Sequence, residues 1–195
     1  MNADRDFRHK YTDAFLRNVK QFVVDAGSAS RAFTIAKVCL DCLSMRESVS
    51  PRATSFMNEF QALSHWAHRD SSIELGPYRD DMLGYYARKF GDQGDGSPPE
   101  QPPEQYETKR FYEACLLFAN EFSSLEEFSL FLASCRNLFN LAGFLDPEHE
   151  EAGLYQTMYL VAYATHREHK SLLLWVEHIR KGHGRGEDSA NLRPS

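Results

Sequence analysis

Two pairs of histidines stand three positions apart, His65-Trp-Ala-His68 and His166-Arg-Glu-His169. On a helix each pair shares a face, a geometry that suits two ligands of one metal ion. With Glu168 or Glu177 to complete it, the second pair would serve a metal-dependent hydrolase or a ligand pocket. The first pair fits that chemistry less well. At about 100° per residue His65 points away from the apolar stripe of Phe56, Phe60 and Leu63, and His68 lies to one side of it. Both read as solvated surface histidines. No repeated Glu-x-x-His arrangement supplies the carboxylates of a di-iron bundle.

The cysteines are the next candidates. Cys39-Leu-Asp-Cys42 has the two-residue gap of a zinc or redox pair, yet Cys115 and Cys135 stand singly, 20 positions apart. A reactive pair gains its low thiol pKa at a helix N-terminus, whereas Cys39 and Cys42 fall inside a helical pattern, on or beside its apolar stripe. They read as small buried hydrophobes. Asp80-Asp81 follows Gly76-Pro77 and reads as a pair of helix-start acids, favoured there by the helix dipole. A Gly-rich phosphate loop, a nucleophile elbow and an HExxH motif are all absent from the sequence. No cofactor is expected.

Charge weighs against a generic polyanion partner. The 195 residues carry a formal net charge of −6, and nonspecific nucleic-acid affinity comes from neutralising phosphates. A local exception is the N-terminal region: residues 1–46 hold eight Lys or Arg against five Asp, a balance of +3. A nucleic-acid-associated regulator using these basic helices is therefore the alternative reading, although no interleaved aromatic and basic pattern accompanies the charge.

The elements that would position these residues are helices. Residues 111–144 hold seven of the fourteen phenylalanines. Phe111, Cys115, Phe118 and Phe122, then Leu125, Phe128, Leu132, Cys135, Phe139 and Ala142, step by three and four, the period of one helical face. Between the two runs, Ser124 and Glu127 spell a capping box. The spacing predicts two helices meeting at a tight corner, the central hairpin of the core. Phe131 and Leu138 widen the second stripe beyond what one partner helix needs. That face either touches two neighbours or takes a protein partner.

Similar stripes predict helices over residues 4–26 and from Ser28 or Ser30 onward, with Gly27 as the stop between them. Another starts at Ser50-Pro51 and is interrupted at Ser71-Ser72, and a shorter one spans about 78–90. Asp146-Pro147 opens the next, with Leu154, Met158 and Val161 inward. A break follows at Thr165–Glu168, a second capping-box spelling. The last helix turns Leu172, Trp175, Val176 and Ile179 inward and stops after Arg180 and Lys181 at Gly182.

Residues 91–105 hold three Gly, four Pro and four acidic side chains, too little apolar surface to offset the entropy of ordering; they read as a flexible acidic loop. Residues 183–195 read as a disordered tail. No period-two strand pattern appears. The expected fold is thus all-α, a single-domain bundle of about eight helices over residues 1–182, or a short stack of helical hairpins. The first residues lack a secretory apolar run, and the longest such run, Met158–Ala164, is far short of the roughly 20 residues of a membrane span. Free thiols and a cytoplasmic or nuclear location follow as expectations. With no coherent catalytic constellation, the sequence reads as a non-catalytic helical protein-interaction module or a subunit of a larger assembly.

Overall fold

A computed structural model of the chain describes residues 7–44, 51–70, 109–143 and 151–181. They form a short 3-10 turn, Phe7–His9, and seven α-helices: α1 (Asp13–Ala26), α2 (Ala29–Ser44), α3 (Pro51–Arg69), α4 (Lys109–Asn120), α5 (Leu125–Ala142), α6 (Glu151–His166) and α7 (Lys170–Arg180). No strand occurs among the described residues. The helix expected near 78–90, the acidic loop at 91–105, the Asp146-Pro147 start and the tail at 183–195 lie outside them.

Local chemistry explains where the helices begin and end. Gly27 ends α1 in the left-handed region at φ 78°, and Gly143 ends α5 at φ 73°, a conformation glycine adopts without a Cβ penalty. Ser28 Oγ accepts the Arg31 amide at 3.1 Å and opens α2. At the central corner Ser124 Oγ accepts the Glu127 amide at 3.1 Å, as the capping box requires. The return bond is shifted by one position, since the Glu127 carboxylate accepts from the backbone N–H of Ser123 at 2.9 Å.

Two expectations are corrected. The helix expected over 4–26 is broken: Phe7 O accepts the amides of Lys10 and Tyr11, and Thr12 caps a new helix by accepting the Phe15 amide at 3.3 Å. The break at Thr165–Glu168 is real, but Thr165 is no cap. Its hydroxyl donates back to Val161 O, the helix runs on to His166, and His169 caps α7.

Buried residues from all seven helices join one core cluster. In it α1 packs on α3 and α5, α2 on α3, α4 and α5, and α4 and α5 both on α6. Helices before and after residues 71–108 are therefore interlocked, which makes a bundle rather than a stack of hairpins. Phe22 of α1 is the junction, edge-on to Phe60 of α3 at 6.2 Å and to Phe131 of α5 at 5.7 Å. Burying one such ring is worth about 2–3 kcal/mol, with a further ~1 kcal/mol for each well-placed aromatic pair. The innermost helix is α6. Between Leu154 and Ala164 only Gln156 is exposed, so the expected inner stripe becomes nearly a full circumference.

Candidate functional site

The His166–His169 segment is the turn between α6 and α7, and each of its four residues has a separate structural task. His166 Nε2 lies 2.9 Å from the carbonyl oxygen of Ala119, near the end of α4. A carbonyl only accepts, so Nε2 carries the proton and ties α6 to α4. Arg167 forms an ion pair with Glu126 in the first turn of α5. Glu168 adopts φ 49°, the one described non-glycine residue in the left-handed region. The His169 amide then bonds back to Ala164 O at 3.2 Å, closing the end of α6. The His169 ring faces the next helix, where Nδ1 accepts the Leu172 amide at 3.4 Å.

The two rings thus serve different partners. His65 and His68 stand exposed on α3, as their helical phase predicts. Among the described residues no three His, Cys, Asp or Glu side chains are grouped to hold a metal ion.

Four thiols do come together where the sequence suggested one pair. Cys39, Cys42, Cys115 and Cys135 are all free and buried. Burial pushes the Cys39 thiol well up, the neighbouring Cys135 adds to this, and Cys42 and Cys115 contribute further. Each of α2, α4 and α5 brings its cysteines on its inner face. The signal was present in the phase: all four sit on or beside apolar stripes, and packed stripes converge. A protonated, enclosed thiol such as that of Cys39 is a poor nucleophile and a poor ligand.

Four of the N-terminal cations are engaged with carboxylates. Arg8 pairs with Asp70 at 2.6 Å, Arg31 with Glu127 at 2.8 Å, Lys10 with Glu59 and Lys37 with Asp41. Tyr11 donates its hydroxyl to Glu59 at 2.7 Å, and burial, then this carboxylate, raises the phenol pKa. The Arg31–Glu127 pair connects the start of α2 to the start of α5, with Arg31 also lying over the Phe131 ring at 5.8 Å. Glu127 is held below the usual carboxylate range, first by the Ser123 amide and also by Arg31. Such pairing offsets part of the positive charge of this region.

Phe131 and Leu138 are corrected as candidate interaction residues. They are 2% and 1% exposed. Phe131 stacks on Phe122 at 5.3 Å and meets Phe22 edge-on, so this face touches the chain's own neighbouring elements. Sequence reasoning also missed Asn18, whose amide oxygen accepts from Asn137 across α1 and α5. A buried Asn inside the stripe Phe15–Val19–Phe22 is the trace such a pair leaves in a sequence.

Among the described residues, the large apolar side chains that face solvent are Val24 and four leucines. Leu117 of α4 is 69% exposed and Leu174 of α7 is 72% exposed. Among the described phenylalanines all but Phe33 are buried. Comparison with known proteins adds no assignment, since no family model, curated protein or solved structure matches the chain.

Proposed function

We propose that this chain is a non-catalytic helical interaction module, a subunit or adaptor that binds a protein partner in the cytosol or nucleus. The observation that supports it is the exposure of Leu117 and Leu174 on two helices that pack against each other. The described phenylalanines other than Phe33 are buried in the chain's own core, and Leu117 and Leu174 are the most exposed of the large apolar groups left outside. A single exposed leucine is ordinary, so the weight falls on there being one on each of two contacting helices.

Carboxylates would stop an apolar contact without disturbing the fold, because both positions face solvent. Protein carrying Leu117→Glu and Leu174→Glu should keep its helical circular dichroism and its melting temperature. It should also lose a partner that the wild-type chain captures and that competes for it in purified form. Equal capture by both forms, or turnover of a substrate by the purified chain, would overturn the reading.

A further inference from the structure

Among the described helices, Thr12, Ser28 and Ser124 cap with hydroxyls, whereas α7 is capped by an imidazole. The difference matters because a hydroxyl accepts at any ordinary pH. His169 accepts the Leu172 amide at Nδ1, 3.4 Å away, and only a bare Nδ1 can do so. An imidazolium carries N–H on both nitrogens. It would also place positive charge at the positive end of the helix dipole. We propose that His169 makes the anchorage of α7 sensitive to pH: on protonation at Nδ1 it releases the Leu172 amide and loosens the first turn of α7 from α6.

The surroundings of the ring support a local event. Helix α7 has 11 residues and is held through Leu172, Val176 and Ile179. Before it stands Glu168, in a left-handed conformation without glycine's freedom. On the same turn lie Arg167, taken by Glu126 of α5, and Lys170. The α6 side brings the Tyr163 ring, 6.1 Å from the imidazole, and His166; α4 meets the corner through the Ala119 carbonyl. His166 acts in the opposite sense. Its bond is donated from Nε2 and survives protonation, and a cation suits the C-terminal end of α6.

Amide hydrogen exchange of the full chain at pH 7.5 and 5.5, corrected for intrinsic rates, tests this. The wild type should lose roughly fivefold of its protection at Leu172 and Leu173 in acid, the effect of one N-cap. His169→Asn and His169→Ser, which cap without titrating, should keep similar protection at both values. His166→Gln should behave like the wild type. Unchanged wild-type protection, the same acid loss in both His169 variants, or its disappearance in His166→Gln would each overturn the proposal.

Discussion

Cys39 shows at the scale of one residue how an interior disarms a nucleophile. Attack and metal binding need the thiolate, and burial together with three neighbouring thiols favours the protonated form. Ellman's reagent at pH 8 should therefore find almost no reactive thiol in the native chain and four in denaturant, the full count of the sequence. Rapid modification of the folded protein would refute the enclosed cluster. The sequence showed the character of these residues, because helical phase alone put Cys39 and Cys42 on or beside an apolar stripe. It concealed their company. Cys115 and Cys135 sit in helices far from α2 along the chain, and which inner faces meet is decided by packing that no local spacing encodes. The same holds for Asn18 and Asn137, matched across 119 positions.

At the scale of elements, the starts and stops were legible where a residue's own chemistry enforces them. Gly27 could end a helix, Ser124 with Glu127 could begin one, and both do. The break at Thr12 was hidden because Phe7, Tyr11 and Phe15 keep a spacing of four through it, and the 3-10 turn leaves Phe7 buried and Tyr11 half-buried. His169 was hidden because an imidazole is a less usual N-cap than a hydroxyl. The α4–α5 corner makes two predictions. Ser124→Ala should cost about 1 kcal/mol in urea unfolding through loss of the cap; an unchanged midpoint would show that the cap is dispensable. Glu127 supplies a pH dependence. Its folded pKa is lowered, so its stabilising contribution is fully present above the unfolded carboxylate value, about 4.3, and is lost as pH falls through the folded value. Glu127→Gln should accordingly be less stable than wild type at pH 6, with the gap narrowing by pH 3. A constant gap would place the effect in packing rather than in charge.

For the whole molecule the question is whether helices α1–α3 and α4–α7 unfold together. Their joint is built of unlike interactions: Phe22 against Phe131, Asn18 with Asn137, and Arg31 with Glu127. The exposed ion pair adds up to about 1 kcal/mol, whereas truncating a buried ring such as Phe131 to alanine costs about 3–5 kcal/mol. Apolar contact therefore dominates the joint, and it is shared by both groups of helices. The chain's two tryptophans lie one on each side of that joint. Trp66 of α3 packs edge-on against Phe7 at 5.9 Å, and Trp175 of α7 against Tyr112 of α4 at 5.3 Å. Trp66→Phe and Trp175→Phe each leave a single reporter, on opposite sides. With one continuous core, the two reporters should give coincident denaturant transitions once each variant is compared with its own circular dichroism. Phe131→Ala should then shift both midpoints downward together. Separate midpoints, or a Phe131→Ala shift seen by only one reporter, would mean that the two groups of helices fold as independent units and that the joint is an interface rather than a core.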